Sequence, residues 1–445
     1  MEKILILSLC ILFYSCSSKD NRAIKVAGVF SDSGIAIAEL KINDSIYIDT
    51  IKNGRFNFSI CNIVQNYIEI NLDDWMPLYV EYGDSIFIDY ENSKQIHFSG
   101  IGFEESKFLN IKNKLMMELG FDDPRKIDID LFSSKPQQFL KQIDIIKHAR
   151  VSQLNDYYEN NPKMSSSFYN TEMHLINYFW INQQLVYPEF NEMLTNSKPN
   201  LPYNYYKFKD QIDPSIKELS KFHIYREVLS SNLDQSAKDI NEKYRLAKKI
   251  FTDKEIFEAI MFDKINSHIN FNGIDGIDSI CADFLSVLRD SKRKNYLTDK
   301  YNSWSLLAKG KKAPEFEILD DKGNFVKLSD LIGKFVYIDC WSSFCGPCIK
   351  EMPEMKSLSE EFKFKNIIFI TISADNDKEK WLRKIKEFKL TNTINLCTEG
   401  IIHKFNNDYN AKAFPRYILI DDKGHILDAT ASKPSMVKEE LEILL

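Results

Sequence analysis

Two cysteines separated by two residues are the side chains of this sequence best suited to chemistry. Cys345 and Cys348 enclose Gly346 and Pro347, and they follow an apolar run at 335–338 that is typical of a buried strand. A helix is expected to begin at Cys345, because the first helical turn tolerates a proline, which has no N–H to donate. The free N–H groups and the positive dipole at such a helix end favour a thiolate. The pattern therefore predicts that Cys345 attacks disulfides and that Cys348 resolves the mixed disulfide.

Other residues accompany the cysteine pair in the order and local spacing of a known family. They are Asp339, Trp341, Pro353, Phe414 and Pro415. Together with the Cys-Gly-Pro-Cys sequence, this set resembles the thioredoxin superfamily. Glu351, three residues past Cys348, further resembles the ResA and TlpA group of extracytoplasmic thiol-disulfide oxidoreductases. The resemblance covers residues from about 309 to the end of the chain.

The resemblance implies a route for the proton that Cys348 must lose before it attacks the mixed disulfide. A buried carboxylate with a raised pKa can accept such a proton. Asp339, at the end of the predicted strand, is the family's candidate for this role. Glu351 is a second candidate, because similar proteins place a glutamate there, near the cysteines. Both residues are therefore expected to be catalytic, together with Cys345 and Cys348.

The resemblance also implies a substrate-binding surface around the cysteines. Gly346 and Pro347 lie between them, and Trp341 is expected to pack under the site. Pro415 stands where thioredoxins carry a cis-proline that faces the disulfide. A cis bond there would present the backbone of Phe414 to an extended substrate, which could add a short strand pairing.

Three other interpretations of the cysteine pair are less well supported. Zinc sites use the same spacing but need about four ligands, and only Cys397 and His403 stand nearby as candidates. A peroxiredoxin would have proline where Ile338 stands. A purely structural domain usually loses one of its cysteines, and both are present here. Dithiol–disulfide exchange is therefore the predicted chemistry, with a redox-active Cys345–Cys348 disulfide and with no metal or other cofactor.

The direction of electron flow is predicted from the residues between the cysteines. Gly346-Pro347 is the dipeptide of reducing thioredoxins, near about −270 mV, and differs from that of strong oxidants near about −120 mV. Reduction of disulfide-containing proteins is therefore expected, with oxidase or isomerase activity as alternatives. In an oxidising compartment the reductant must be renewed, and the resemblance implies a membrane electron-donor relay.

The N-terminus is predicted to target the protein to a membrane outside the cytoplasm. Lys3 precedes an apolar run that is too short to span a bilayer and has the length of a signal peptide. Residues 1–16 end at Ser15-Cys16, which resembles a lipoprotein cleavage site, so Cys16 is the expected lipidation site. Residues 17–21 form a short polar tether. The sequence thus predicts a periplasm-facing lipoprotein, in the outer membrane or at the cell surface, with an ordinary secretory signal as the alternative.

The rest of the chain divides by its hydrophobic pattern. Short alternating runs separated by turns such as Asn53-Gly54 predict five to seven strands in 22–100. Apolar residues at helical spacing dominate 101–308, and strands alternate with helices in 309–445. The sequence therefore predicts a multidomain chain with an N-terminal β-sandwich, a helical middle domain and a C-terminal α/β thioredoxin-like fold.

Composition limits the classes of partner. A net charge of −6 over 445 residues argues against binding to nucleic acid. The helical region is rich in aromatic residues, which at helical spacing more often form a core than a ligand groove. The alternative to an oxidoreductase is a surface or periplasmic binding lipoprotein in which this helical region acts and the thioredoxin-like domain is redox-idle.

Overall fold

The structure is a computed structural model. It describes residues 23–30, 37–42, 45–61, 63, 65–92, 95–118 and 128–445. The predicted signal peptide 1–16, the lipidation site Cys16 and the tether 17–21 lie outside these residues. The chain forms two compact units, Met1–Val228 and Leu229–Leu445. No helix among the described residues is both long enough and apolar enough to cross a membrane.

The first unit begins with a sheet-rich region of eight described strands. They are β1 Ile24–Phe30, β2 Ile37–Ile42, β3 Ser45–Thr50, β4 Arg55–Ile60, β5 Tyr67–Asn71, β6 Trp75–Tyr79, β7 Ser85–Asn92 and β8 Gln95–Ile101. Their order is β4-β1-β7-β8 in one sheet and β3-β2-β5-β6 in the other. The alternation of buried and exposed residues explains why these segments form strands. In β4, Phe56, Phe58 and Ile60 point inward, while their neighbours are exposed. Residues of both sheets share one hydrophobic cluster.

The number of strands exceeds the five to seven expected from the sequence. The additional strand β8 shows only a weak alternation of buried and exposed residues, because Phe98 is the only buried residue in this strand. The strand β1 pairs in parallel with β7. This pairing joins segments that are far apart in the sequence, so no local pattern indicates it.

Helices follow the strands in the first unit. They are α1 Glu104–Glu118, α2 Ile129–Ser133, α3 Pro136–Asn160, α4 Ser166–Thr195 and α5 His223–Ser236, with 3-10 turns at Tyr205–Gln211 and Lys217–Leu219. The aromatic residues of this region are largely core, as expected from their spacing. Phe168 and Tyr178 are buried, and Phe139 stacks on Tyr187 with ring centroids 4.0 Å apart.

The second unit starts within α5 and contains four further helices before its sheet. They are α6 Ile240–Ile250, α7 Lys254–Asn272, α8 Asp278–Val287 and α9 Ser291–Ser305. Asp239, Asp253 and Asp290 cap the starts of α6, α7 and α9, where each carboxylate accepts backbone N–H groups of the first turn. These caps explain why the helices begin where they do.

The second unit continues as an α/β arrangement. Its strands are β9 Glu317–Leu319, β10 Phe325–Lys327, β11 Phe335–Trp341, β12 Ile367–Ser373, β13 Ile394–Cys397, β14 Arg416–Ile420 and β15 Ile426–Asp428. Its helices are α10 Gly346–Glu361, α11 Lys378–Phe388, α12 Lys404–Asp408 and α13 Lys438–Leu444. The main sheet has the order β13-β12-β11-β14-β15, and β9 and β10 form a separate two-stranded sheet. The strands β11, β12 and β13 are parallel, and β14 and β15 are antiparallel to their neighbours.

This topology places the cysteine pair at the end of the central strand. The strand β11 is buried throughout most of its length because helices cover the sheet, which explains its continuous apolar run. The chain leaves β11 at Trp341, turns, and enters α10 at Gly346. The α/β thioredoxin-like fold expected for the C-terminal region is therefore present.

Candidate active site

The two cysteines lie in one turn but differ in exposure. Cys345 is the N-cap of α10 and is half-buried, whereas Cys348 is fully buried at 0% exposure. They form a disulfide. The N–H of Cys348 donates a hydrogen bond to Sγ of Cys345 over 3.2 Å. A substrate disulfide can therefore approach Cys345, whose sulfur also meets the free N–H groups of the helix start.

An apolar cluster supports the pair from beneath. Cys348 packs with Trp341, Met352 and Trp381, while Cys345 and Phe414 contact the edge of this cluster. Trp341 is fully buried, so any effect it has on substrate binding is indirect. The cluster fixes the start of α10 against the central strand. It also holds Phe414 close to the cysteines.

The accessible surface around Cys345 comes from two segments. Gly346 and Pro347 are exposed on the α10 side, and Phe344 is 77% exposed next to them. On the other side, the Phe414–Pro415 peptide bond is cis, as predicted, and leads into β14. The structure thus brings together the sequence segments that were expected to contact substrate.

Asp339 lies on β11, the strand that leads to the cysteines, and is completely buried. Neither of its carboxylate oxygens has a hydrogen-bond partner among the described residues. Burial raises the pKa of Asp339 well above its ordinary value, and the charge of Glu351 raises it further. Once it is ionised, the Asp339 carboxylate is therefore a stronger base than an ordinary aspartate, which suits it to accept a proton.

Glu351 has a different environment from the one expected of a proton acceptor. Its carboxylate accepts hydrogen bonds from Lys433 Nζ at 2.7 Å and from the N–H and Oγ of Ser435, each at 3.1 Å. Burial alone would raise the pKa of Glu351, but these hydrogen bonds and the charge of Lys433 outweigh it and lower the pKa. A lowered pKa makes a weaker base, so Asp339 is better suited to accept the proton. The role of Glu351 stays a prediction.

Asp375 is a buried residue of the site that the sequence analysis did not identify. It is 3% exposed and follows β12, the strand next to β11. Its carboxylate accepts hydrogen bonds from Ser343 Oγ at 2.7 Å, from Ser343 N–H at 2.9 Å and from Ser373 Oγ at 2.6 Å. These bonds hold the loop that leads from β11 to Cys345. The available signal was an acidic residue two positions past the end of a buried strand.

The zinc alternative has no support in the described part of the chain. No group of three or more histidine, cysteine, aspartate or glutamate side chains there is arranged to hold a metal ion. Cys397 is buried, and its Sγ contacts the backbone oxygen of Asp375 at 3.4 Å. His403 caps α12, with Nδ1 accepting the N–H of Phe405 at 3.1 Å.

Comparisons with known proteins agree with this fold. Residues 308–441 match the Redoxin family model. The thioredoxin-like protein YneN of Bacillus subtilis is 30% identical over 154 residues, which cover 32% of this chain and 87% of that protein. The thiol-disulfide oxidoreductase ResA of Bacillus thuringiensis subsp. konkukian is 32% identical over 133 residues, 30% of this chain and 74% of that protein.

The chain is also similar to solved structures. A thiol-disulfide oxidoreductase from Bacteroides fragilis is 27% identical and matches with a TM-score of 0.29, covering 30% of this chain and all of that one. The family model and the ResA relative, together with the fold and the cysteine pair, define a protein of the thiol-disulfide oxidoreductase class. The chain belongs to the thioredoxin superfamily, in its TlpA/ResA-like group. The ResA relative supports a thiol-disulfide redox function in general, with disulfide-containing substrates.

Proposed function

We propose that this protein is a membrane-anchored, extracytoplasmic thiol-disulfide oxidoreductase that reduces disulfides of secreted or periplasmic proteins. The observation that carries the proposal is the difference between the two cysteines. Half-buried Cys345 caps a helix start, while Cys348 is completely buried behind it. This arrangement suits an attacking thiol and a resolving thiol.

The proposed reaction transfers two electrons from the dithiol to the substrate. The Cys345 thiolate attacks one sulfur of the substrate disulfide, forms a mixed disulfide and releases the other sulfur as a thiolate. Cys348 then gives its proton to Asp339 and attacks Sγ of Cys345, which breaks the mixed disulfide. The substrate leaves with two reduced sulfurs, and the protein retains the Cys345–Cys348 disulfide. Each step is a thiol–disulfide exchange.

The reducing direction rests on the dipeptide between the cysteines. Gly346-Pro347 is typical of reducing thioredoxins. Regeneration requires a dithiol donor, for which we propose a membrane electron-donor relay. Oxidase or isomerase activity in the cell would use the same two cysteines, and the measured reduction potential distinguishes among these directions.

The proposed anchor is a lipid on Cys16, and the proposed location is the outer membrane or cell surface. Two or three acyl chains hold a protein stably at a bilayer, whereas one does not. Expression of the wild type and of Cys16→Ala with labelled palmitate tests the anchor. We expect label and membrane fractionation for the wild type only. A wild-type protein that carries no label would disprove lipidation.

Insulin reduction tests the proposed activity. The chain from Ser17 onward, supplied with dithiothreitol, should accelerate insulin precipitation. Cys345→Ser and Cys348→Ser should both lose turnover, but only Cys348→Ser should accumulate a mixed disulfide with insulin, because it retains the attacking thiol. Cys281→Ser is a matched control, since Cys281 is a buried free cysteine on α8. Equal activity of all four proteins would disprove the assignment.

A binding function of the helical region is the second candidate, and one cavity favours it. The first unit holds a cavity of about 350 Å³ whose wall includes Trp180, Tyr205, Phe208 and Gln184. Nε2 of Gln184 is buried and has no hydrogen-bond partner within the part of the chain that the structure describes. Cavities of this size hold small ligands. A redox-idle binding protein would show no insulin reduction in the assay above.

A further inference from the structure

The residue after the cis-proline is a buried arginine that contacts the helices of the second unit. Arg416 is 5% exposed, and its guanidinium donates a hydrogen bond to the backbone oxygen of Asn270 on α7. It donates another to the backbone oxygen of Ala429 over 3.4 Å and lies 4.5 Å from the ring centroid of Trp304 on α9. Arg416 therefore connects α7 and α9 to the strand that begins beside Pro415.

Phe271, the residue next to Asn270, is an exposed aromatic at this junction. It lies on α7 and is 61% exposed. With Pro415, Tyr417 and Thr430 it lines a small cavity of about 60 Å³. An exposed phenylalanine gains free energy when a partner covers it. Its place beside the cis-proline puts that apolar surface next to the segment proposed to bind substrate.

A larger polar cavity lies on another side of Phe271. It has a volume of about 630 Å³ and is formed by the ends of α5, α6 and α7. Lys243, Lys264 and Asp234 line it, with Nζ of Lys243 at 2.8 Å from Asp234 and Lys264 paired with the same carboxylate. Ser267 and His268 also border it. Phe271 therefore belongs to the walls of both the small cavity beside Pro415 and this charged cavity.

We propose that Phe271 and the polar cavity extend the substrate-binding surface and select extended polypeptides as substrates. The proposal rests on the proposed disulfide exchange at Cys345. A polypeptide whose backbone pairs beside Phe414 continues for about 3.3 Å per residue in an extended conformation. It places an apolar side chain on Phe271 and polar or charged side chains in the cavity. A small disulfide contacts the sulfurs without using this surface.

The test compares a protein disulfide with a small one in variants of α7. Phe271→Ala removes the apolar surface, and Ser267→Trp fills the mouth of the polar cavity from an exposed helical position. Reduction of insulin and of dithiobis(nitrobenzoate) is measured for each variant. We expect KM for insulin to rise about tenfold with kcat unchanged, as for the loss of one aromatic contact at an interface. Both constants for dithiobis(nitrobenzoate) should stay within about twofold of wild type.

Controls separate this proposal from the proposed activity itself. Phe364→Ala removes an aromatic that is 91% exposed and borders neither cavity, so it should change nothing. Phe271→Leu should restore most of the insulin affinity, because an apolar side chain returns. An unchanged KM for insulin in Phe271→Ala and Ser267→Trp would overturn the proposal, as would equal losses with both substrates. A wild-type protein that reduces neither substrate would overturn the disulfide exchange as well.

Discussion

At the scale of single residues, the two cysteines differ in exposure, and this difference suits them to different steps of the exchange. Cys345 is half-buried, and Cys348 has no exposed surface. The sulfur of Cys345 also receives the N–H of Cys348, one of the donors that a helix start leaves free. The sulfur of Cys345 is therefore both accessible and stabilised as a thiolate. The sulfur of Cys348 is accessible only to groups inside the protein.

Alkylation of the reduced protein measures this difference. We expect iodoacetamide to modify Cys345 at least about tenfold faster than Cys348 near neutral pH, because the thiolate form and its access govern the rate. Mass spectrometry of proteolytic peptides assigns the label. The buried Cys340 serves as an internal control and should stay unmodified in the folded protein. Faster labelling of Cys348 would reverse the roles of the two cysteines.

The buried carboxylate of Asp339 predicts a dependence of stability on pH. Its pKa is raised in the folded state by burial and then by the charge of Glu351. As pH rises above the pKa of the unfolded state, the unfolded chain ionises first, so folding loses stability until the pH exceeds the folded pKa. Each unit of pKa difference corresponds to about 1.4 kcal/mol. Stability is therefore greater below this interval than above it.

Asp339→Asn removes that dependence. The variant should be more stable than the wild type at pH 8, and the difference should shrink toward pH 4, as measured by urea unfolding at both values. It should also slow the release of a Cys345 mixed disulfide more than its formation. Asp299→Asn, at an exposed aspartate of α9, is the control and should change neither. Equal losses in formation and release would indicate a positioning role for Asp339.

At the scale of elements, the loop between β11 and α10 is held from the neighbouring strand. Asp375 accepts the N–H and the hydroxyl of Ser343, and it also accepts the hydroxyl of Ser373 at the end of β12. Because β11 and β12 are parallel, their carboxyl ends lie side by side and this contact is short. The position of Cys345 at the helix start therefore depends on a residue thirty positions further along the chain.

Asp375→Ala should loosen this loop. Losing hydrogen bonds to a buried carboxylate should lower the free energy of unfolding by about 1–3 kcal/mol, measured by urea denaturation. It should also lower kcat/KM for dithiobis(nitrobenzoate), since Cys345 is less well placed. Asp377→Ala, which removes the cap of α11, should cost about 1 kcal/mol without affecting kcat/KM. Full activity in Asp375→Ala would show that the loop needs no such support.

At the scale of the whole molecule, the second compact unit is larger than the thioredoxin-like region. It begins at Leu229 and includes helices that precede the sheet. Arg416 contacts Asn270 and Trp304, and a Cβ on Gly273 would meet the Trp304 ring at 3.3 Å. The close packing of α7 and α9 thus contributes to the surroundings of the strand that carries the cis-proline.

Truncation tests whether these helices stabilise the active-site region. A chain of residues 221–445 should have a free energy of unfolding at least about 1–3 kcal/mol higher than a chain of residues 309–445. The physical reason is that the shorter chain lacks the hydrogen-bond acceptor on Asn270 and the ring of Trp304, which leaves Arg416 without these partners. Urea unfolding followed by circular dichroism gives both values. Equal values would mean that the helices act only as a spacer.

The sequence by itself determined the chemistry and most of the local structure of the C-terminal region. The cysteine pair, its proline and the flanking apolar strand are adjacent in the chain, so their spacing predicts a strand, a turn and a helix start. The helix at Lys378–Phe388 is likewise indicated by local features, its amphipathic period and its cap at Asp377. Short elements such as β13 and α12 were missed, since four or five residues carry too little periodicity.

Only the tertiary structure decided which buried charges meet and which do not. Glu351 was expected to serve the cysteines, but Lys433 and Ser435, more than eighty positions away, bind its carboxylate. Arg416 reaches Asn270 across 146 positions. Such contacts depend on how strands and helices pack, and the local pattern of a sequence does not predict that packing. Burial then set the pKa of Asp339, because desolvation is a property of the folded environment.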